Sequence, residues 1–315
     1  MTLHHLIGAA LACACAVSAA EAQTRVTYKS AKSGSSYYQM GVELSEAVKA
    51  ATDGGISVTI EESQGSVQNV MEVRARGADY VFTTPPALVS AAQGASGPFD
   101  GKGAPQFDEI RALFPIPALT MHFVMNAETG ASGLSDLSGQ TILLGKGSFG
   151  ATEGEKYVSL FGLDIEVADA ELSNAVAALK NGQIDGFVTA GSYPAPNVVE
   201  AAASTPVTIL SMTDEEVSET GRTKLVIPAG TYAAQDAEVT TTSLPVAAYA
   251  TTKMDDETAY QLTKAFWEQK AAMADVSKWW DGVTPEMLSV IETDFHPGAA
   301  RYYEEAGIAL PGAEG

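Results

Sequence analysis

Residues 33–41, which read SGSSYYQMG, constrain the fold of this chain more than any other stretch. They follow a strand-like alternation of residues at 25–29 and lead into apolar residues with helical spacing, Met40, Leu44 and Val48. A Gly/Ser turn between a strand and a helix leaves several backbone N–H groups unpaired at the helix start. Together with the positive end of the helix dipole, these donors favour an anion at the turn.

The same succession of strand, polar turn and helix recurs along the chain. Further strands are predicted at 57–61, 79–83, 141–144, 165–167 and 185–189, and a helix follows most of them. This alternation indicates βαβ units and a mainly parallel sheet. Such sheets bind ligands outside the carboxyl ends of their strands, where the polar turns are expected to lie.

Two β-prone segments at 119–125 and 244–250 bracket the middle of the chain. A faint internal echo accompanies them: 66–79 and 173–185 each read as a helix start, a helix, a Gly and an Asp before a strand that ends in Thr. Any two βαβ units resemble each other, but both features fit two similar lobes, the second inserted into the first. The predicted fold class is therefore α/β, with two lobes that close about a hinge on a ligand cleft. The predicted boundaries are 23–121 plus 247–315 for lobe I and 122–246 for lobe II.

Other segments lead to less regular predictions. Residues 94–108 are rich in Gly and Pro and are predicted to form a surface loop, followed by a separate β-prone segment at 110–113. Three helices are predicted to close the chain, at 255–274, 285–293 and 297–306.

The balance of charge restricts the partners of this protein. The chain has 39 acidic and 18 basic residues, a formal net charge of −21. Nucleic acids and anionic lipids are bound by basic surfaces, so neither is expected as a partner. An anionic ligand would have to be held by local donors against the field of the whole protein.

Residues 1–22 are predicted to be a cleaved secretory signal peptide, so the expected location is the periplasm. The apolar run at 6–20 is too short to span a membrane, and residues 20–22, AEA, form a small-x-small cleavage site. Both cysteines, Cys13 and Cys15, fall inside this segment. No thiol or disulfide is therefore expected in the mature protein.

Enzyme chemistry has little support in the sequence. Residues 145–150, GKGSFG, match the dinucleotide pattern G-x-G-x-x-G after a strand, with Asp169 near the position of a ribose-binding acid. Dinucleotide is not the cofactor expected of an exported protein, and another anion-friendly helix start explains the segment. After the predicted leader only His122 and His296 offer an imidazole, and no metal-ligand spacing or nucleophile elbow occurs. Both histidines are interpreted as structural or ligand-touching, and no cofactor or metal is expected.

What remains is a set of polar turns at predicted strand ends. Any one of them is explained as a helix cap, because Ser and Thr cap helices routinely. Five such turns in two lobes favour a shared cleft whose donors are hydroxyls, amides and backbone N–H groups. This chemistry fits a small polar or carboxylate-bearing solute that binds reversibly, with no bond broken. The turns are Ser36/Tyr37/Tyr38, Gly65/Ser66/Asn69, Thr83/Thr84, Ser148/Thr152 and Gly191/Ser192/Tyr193.

Several short motifs resemble those of the TAXI family, the extracytoplasmic solute receptors of TRAP transporters. They occur in the family's order over nearly the whole chain after the predicted leader, and they are specific together although not singly. The matching stretches are 34–41 (GSSYYQMG), 65–69 (GSVQN), 77–79 (GAD), 182–185 (GQID), 228–232 (PAGTY) and 296–303 (HPGAARYY).

The resemblance implies a type II periplasmic-binding-protein fold that closes on a small organic acid and delivers it to a TRAP membrane permease. Ligands of the family lean toward glutamate-like and dicarboxylate compounds, so a ligand of this class is expected. Two departures lie in the implied pocket: Phe149 stands between Ser148 and Gly150, and the turn at 191–194 is one residue longer than usual. The expected ligand-binding residues, with Thr84 added from the polar turns, are Ser36, Tyr37, Tyr38, Gly65, Ser66, Asn69, Thr84, Ser148, Thr152 and Tyr193.

Other functions stay open at this point. A receptor of an ATP-driven ABC importer has the same fold, and neighbouring genes would distinguish it; a purely sensory receptor is a further option. An exported enzyme that uses the same cleft would need a titratable group with a shifted pKa there, and His122 is the candidate. Arg111 and Lys146 are candidate counter-charges for a carboxylate, but each is equally explained as a surface cation and is kept outside the expected site.

Overall fold

Strands and helices alternate along the chain, as the sequence predicts. The computed structural model describes residues 23–146 and 148–312, so the predicted signal peptide at 1–22 lies outside the described residues. The strands are β1 (Thr24–Lys29), β2 (Ile56–Glu61), β3 (Tyr80–Thr84), β4 (Ile110–Asn126), β5 (Thr141–Leu143), β6 (Glu166–Val167), β7 (Gly186–Gly191), β8 (Val207–Ile209), β9 (Thr223–Ile227) and β10 (Val239–Thr251). The helices are α1 (Ser36–Ala51), α2 (Ser66–Glu72), α3 (Pro86–Gln93), α4 (Phe149–Leu160), α5 (Ala175–Lys180), α6 (Pro196–Ser204), α7 (Asp214–Thr220), α8 (Asp256–Val276) and α9 (Pro297–Glu305). Among these described helices, none combines the length and the apolar character needed to cross a membrane.

The strands form one sheet that consists of two halves with the same arrangement. Its order is β2-β1-β3-β10-β4-β7-β5-β6, with β8 paired to β4 and β9 paired to β10. In the first half β1 lies parallel between β2 and β3, and in the second half β5 lies parallel between β6 and β7. The antiparallel pair β10 and β4 joins the halves. The predicted α/β fold with parallel βαβ units in two parts is confirmed.

This arrangement explains the internal echo in the sequence. The segment 66–79 forms α2 and leads into β3, and the segment 173–185 forms α5 and leads into β7. The strands β3 and β7 occupy equivalent places in the two halves, because β3 lies beside β10 and β7 lies beside β4. The echo therefore marks the same unit in each half.

The strands β4 and β10 are longer than the sequence predicts. The segments 110–113 and 119–125, predicted as separate, belong to one 17-residue strand, β4, whose side chains are nearly all buried. Pro115 and Pro117 hide this continuity, since proline cannot donate to a sheet ladder. The structure accommodates them beside a shift in the β4–β10 register. The predicted lobe boundaries fall inside β4 and β10 and stay a prediction.

The predicted surface loop at 94–108 is wrong in part, because two of its aromatic residues belong to the core. Two short 3-10 turns, Gly97–Phe99 and Pro105–Glu109, bury Phe99 and Phe107 completely, with ring centroids 5.8 Å apart. The Gly and Pro content correctly indicates an irregular backbone. It carries no information on the burial of the aromatic rings, which depends on the residues packed around them.

The C-terminal segment packs against the first half of the sheet. Helices α8 and α9 agree with two of the predicted helices, and α8 packs on α1 and α9. The predicted helix at 285–293 is wrong. Only Pro285–Val290 is helical, and it is of the 3-10 type, because the chain then turns to place Phe295 beside Ala112 in a β-bridge.

His296 caps the last helix, α9. Its side chain is fully buried, Nδ1 accepts from the Gly298 N–H at 3.3 Å, and Nε2 donates to the Met254 carbonyl at 3.1 Å. Both ring nitrogens of His296 are thus engaged in hydrogen bonds with the protein backbone. Of the two roles left open for His296, the structure supports the structural one.

Candidate ligand-binding site

A cavity of about 270 Å³ lies between the two halves of the sheet, at the carboxyl ends of β1, β3 and β7. Leu119 of β4 and Val246 of β10 line it from the strands that join the halves. Most of the remaining wall consists of the turns that begin α1, α2, α4 and α6. The other lining residues are 30–37, Gln64, Gly65, Ser66 and Thr83 from the first half, and Ser148, Phe149, Gly150, Leu172, Ser173, Val176, Thr189, Ala190, Gly191, Ala195, Pro196, Asn197 and Glu200 from the second.

The turn that begins α1 is held by hydrogen bonds within the first half and to β4. Ser35 is the N-cap of α1, and its side chain accepts from the Tyr38 N–H at 3.2 Å. Ser30 Oγ donates to the Tyr37 carbonyl at 2.6 Å, and the Tyr37 hydroxyl donates to the Pro117 carbonyl at 3.0 Å. Tyr37 therefore lines the cavity with its hydroxyl already engaged by the protein.

Asn69 lies behind this wall rather than on it. Its Nδ2 donates to the carbonyls of Ser30 at 2.8 Å and Thr83 at 2.9 Å, and it lies 3.4 Å from the carbonyl of Lys29. Asn69 is fully buried, and Ser63 Oγ adds a bond to the Ser30 carbonyl at 3.0 Å. Asn69 therefore holds the ends of β1 and β3 together and so positions Ser30 and Thr83 at the cavity.

Two glycines let the helix starts pack closely around the cavity. Gly65, the N-cap of α2, has φ = 126°, a conformation that residues with a side chain rarely adopt. Gly150 lies in the first turn of α4, where a Cβ would lie 3.0 Å from the backbone nitrogen of Ala190. A side chain at that position would push α4 away from β7. Ser148 caps the same helix, because its Oγ accepts from the Ala151 N–H at 3.0 Å.

The wall contributed by α6 depends on a buried chain of hydrogen bonds. The Ala195 N–H donates to the Tyr232 hydroxyl at 2.9 Å, and this hydroxyl donates to His122 Nε2 at 2.7 Å. His122 Nδ1 lies 3.1 Å from the Thr120 carbonyl, which only accepts, so Nδ1 carries the proton and Nε2 is free to accept. Burial lowers the pKa of His122 to about 4, although the bond to Thr120 opposes this shift. His122 is therefore neutral at pH 7 and acts on the cavity through Tyr232 and Ala195.

Asn197 and Thr189 form a polar pair on the second-half wall. Asn197 Nδ2 donates to Thr189 Oγ1 at 3.0 Å, and both residues line the cavity. Sequence analysis missed both. The usable signal was the strand predicted at 185–189 followed by Pro196, since proline is favoured at helix starts and marks another helix that begins at a strand end.

The two halves contact each other across the cavity. Lys32 of the first half forms an ion pair with Glu171 of the second half. The Ser192 N–H donates to Ser36 Oγ at 3.2 Å, and Ser192 Oγ donates to the Ala118 carbonyl at 2.8 Å. Polar contacts of this kind are typical of interfaces that permit relative motion of two lobes.

The structure brings five of the ten residues expected from the sequence to the cavity, namely Ser36, Tyr37, Gly65, Ser66 and Ser148. The other five do not line it: Tyr38, Asn69, Thr84, Thr152 and Tyr193. Tyr38 and Thr152 lie further along α1 and α4, where only the first residues of each helix reach the cavity. Thr84 is fully buried in the sheet, and Tyr193 packs against the apolar core of the second half.

The lining of the cavity carries little charge. Among the lining residues described, only Lys32 and Glu200 carry a charge at pH 7, and Lys32 is already in an ion pair. The candidate counter-charges lie elsewhere, since Arg111 donates to the backbone carbonyls of Asp108 and Ile110 and Lys146 lies 2.8 Å from Asp169. Over 23–146 and 148–312, no cluster of His, Cys, Asp or Glu is placed to hold a metal ion. Hydroxyl, amide and backbone groups are the main polar groups that the cavity offers.

The fold matches those of solved periplasmic binding proteins. The periplasmic binding protein BugD superposes with a TM-score of 0.59 over 92% of this chain and 99% of its own, at 12% identity. MatC from Rhodopseudomonas palustris, solved with bound malate, gives a TM-score of 0.56 over 90% of this chain and 97% of its own, at 13% identity. A structure described as a periplasmic transporter gives 0.54 over 90% and 93%, at 11% identity. At these identities the likeness shows the fold, which is that of periplasmic solute-binding proteins.

The sequence also matches a family profile. The profile described as NMT1-like family matches residues 29–307, a range that includes every residue lining the cavity. The match does not test the resemblance to the TAXI receptors, which stays a prediction. Because the profile covers nearly all of both halves of the sheet, the chain belongs to the NMT1-like family.

Proposed function

We propose that this protein is a periplasmic solute receptor of the TAXI type, which binds a small organic acid and delivers it to the membrane permease of a TRAP transporter. The observation that carries the proposal is the cavity between the two half-sheets, whose walls contact each other across the cleft. Walls of this kind enclose a ligand when two lobes close on it. The TRAP assignment rests on the sequence motifs, above all those at 34–41, 65–69 and 296–303.

The lobes proposed are 23–121 plus 247–315 and 122–246. The hinge between them then lies in β4 and β10, the antiparallel strands that join the two parallel half-sheets. A rotation at these strands would separate Lys32 from Glu171 without breaking the parallel pairing in either half. Each lobe would keep its own turns, and the cavity would open to solvent.

Reversible binding is favoured over catalysis by the groups at the cavity. His122, the candidate acid or base of an exported enzyme, does not line the cavity, and both its ring nitrogens are in hydrogen bonds. In the described part of the chain, no histidine or carboxylate is hydrogen-bonded to the side chains of Ser36, Ser66 or Ser148. A serine nucleophile needs such a base for its activation. Hydroxyls without a base are suited to holding a solute.

The proposed location is the periplasm, reached by cleavage of the signal peptide at 1–22. A receptor of an ABC importer would share the fold, so the partner has to be identified by transport. Uptake of a labelled acid in cells that carry the neighbouring permease distinguishes the two systems. Uptake that collapses with the ion gradient supports the TRAP assignment, whereas uptake that depends only on ATP hydrolysis contradicts it.

A thermal-shift screen of residues 23–315 tests the binding of organic acids. The protein is unfolded and refolded to remove ligand carried through purification, and is then heated with organic acids, sugars or nucleotides. An acid at a hundredfold excess over its Kd raises the free energy of unfolding by about 2.7 kcal/mol, which raises the Tm. A shift with sugars or nucleotides alone, or chemical turnover of a bound acid, would contradict the proposed function.

A further inference from the structure

The lining of the cavity divides into a polar part and an apolar part. The polar part consists of the hydroxyl groups at the starts of α1, α2 and α4, from Ser36, Ser66 and Ser148, and of the pair formed by Asn197 and Thr189 at the start of α6. The apolar part consists of side chains from β4, β10, α4 and the segment before and within α5, namely Leu119, Val246, Phe149, Leu172 and Val176. A ligand that fills this space meets both hydrogen-bond donors and hydrocarbon.

The charges at the cavity match at most one carboxylate. The described lining residues include Lys32 as a cation and Glu200 as an anion, and no arginine or histidine. Lys32 is engaged by Glu171, so little positive charge is left over. A second carboxylate would be enclosed without a cation to balance its charge, which is unfavourable. The net charge of −21 adds to this penalty.

The volume of the cavity limits the size of the ligand. At about 270 Å³ it lies just below the range of roughly 300–1,000 Å³ that is typical of ligand pockets. Leu119, Val176 and Val246 are buried, so packing holds these side chains in place when the lobes are closed. Such a space accepts a compact body better than a long flexible chain.

We propose that the ligand is a small monocarboxylate with a compact apolar body, of the class of short branched aliphatic or aromatic acids. Its carboxylate is held by the polar part, and its body packs on Phe149, Leu119 and Val176. This inference rests on the proposed function and narrows its ligand. The dicarboxylates and glutamate expected from the TAXI resemblance are then poor ligands, and Phe149, at which this sequence departs from the family pattern, belongs to the surface that selects the apolar body.

Calorimetric titration with matched acids tests the class of ligand. The refolded protein is titrated with 3-methylbutanoate and phenylacetate, and with succinate, glutarate and glutamate as acids that carry a second carboxylate. We expect the monocarboxylates to bind at least about tenfold more tightly, the order of discrimination that a shaped apolar pocket provides. Tighter or equal binding of the acids with two carboxylates would overturn this inference and leave the proposed function standing. Binding of no acid at all would overturn both.

Substitutions at Phe149 test the apolar part separately. Phe149 is only partly buried, so Phe149→Ser removes apolar surface at modest risk to folding, and Phe149→Leu is the matched control that keeps the site apolar. We expect Phe149→Ser to weaken phenylacetate binding about tenfold or more and Phe149→Leu to weaken it by about threefold or less. Unfolding without ligand confirms that each variant is folded. Unchanged phenylacetate affinity in the folded Phe149→Ser variant would overturn the assignment.

Discussion

The two halves of the sheet share one strand arrangement but fix their cavity-facing turns by different means. In the first half most of the supports come from within that half, since Asn69 and Ser63 bond to carbonyls at the end of β1, where the next turn begins, whereas the Tyr37 hydroxyl reaches β4. In the second half a support comes from distant residues, through His122 of β4 and Tyr232 to the start of α6. The first-half wall is therefore held mainly from within its own half, whereas the α6 part of the second-half wall is held through β4, a strand that joins the halves.

The same residue type has different roles on the two walls. Asn69 is fully buried, and its side-chain amide donates to backbone carbonyls. Asn197 is half-buried, donates to Thr189 and lines the cavity. We therefore expect substitutions in the local support to lower stability. Substitutions of residues that line the cavity on the second-half wall should lower ligand affinity.

The largest effect is expected from the distant support through His122, which low pH breaks. Burial lowers the pKa of His122 from 6.5 to about 4 in the folded protein. Between these two values the unfolded chain binds a proton that the folded chain does not bind. The free energy of unfolding therefore falls as the pH drops from 6.5 to 4, and this residue accounts for a loss of about 3 kcal/mol.

Urea unfolding of the wild type and of His122→Gln at pH 7 and pH 4 measures this contribution. The other titrating groups, including His296, whose pKa burial also lowers, are present in both proteins. The wild type should lose about 3 kcal/mol more than the variant between the two pH values. Equal losses in the two proteins would show that His122 is not the group responsible.

The next largest effect is expected in the local support of the first half. Asn69→Ala removes the side-chain donor to the Thr83 carbonyl and one of the two side-chain donors to the Ser30 carbonyl, inside a buried region. We expect the free energy of unfolding to fall by about 2 kcal/mol, measured in urea. The affinity of the folded variant for its acid should change by less than about twofold. A large loss of affinity at unchanged stability would show that Asn69 contacts the ligand.

Asn197→Ala is the matched change on the second-half wall. It should lower ligand affinity and leave stability nearly unchanged, the reverse of Asn69→Ala. Removal of one half-buried amide should weaken acid binding by about fivefold, corresponding to ~1 kcal/mol. The free energy of unfolding should stay within about 0.5 kcal/mol of the wild type. Calorimetry and urea unfolding measure the two quantities. If Asn69→Ala and Asn197→Ala changed ligand affinity and stability in the same way, the proposed difference between the two walls would be wrong.

The smallest effect is expected where the two walls meet. Lys32→Met and Glu171→Gln each remove the ion pair across the cleft, which is partly exposed on both sides. We expect each variant to bind its acid more weakly by about 0.5 kcal/mol at low salt, and by less in 1 M salt, because exposed pairs are screened. The double variant should resemble the single ones. Additive losses would mean that the two side chains act on the ligand independently.

The alternation of strands and helices was predictable because it depends on local periodicity, and the polar turns were predictable because Gly and Ser mark helix starts. Burial was not predictable from the same signals. Asn69 and Ser66 lie in one short motif, yet Asn69 faces the core and Ser66 faces the cavity. Contacts between distant residues, such as Lys32 with Glu171 and His122 with Tyr232, leave no local trace in the sequence because they arise only when the halves are assembled.

The cavity between the halves is proposed to be the place where an organic acid binds, and a substitution that fills the cavity tests this claim. Ser66→Trp places an indole on the cavity wall, and Ser159→Trp, on an exposed position of α4 that does not line the cavity, is its control. Calorimetric titration of both folded variants with the acid found by thermal shift should show no binding to Ser66→Trp and wild-type binding to Ser159→Trp. Wild-type affinity in the Ser66→Trp variant would contradict the claim.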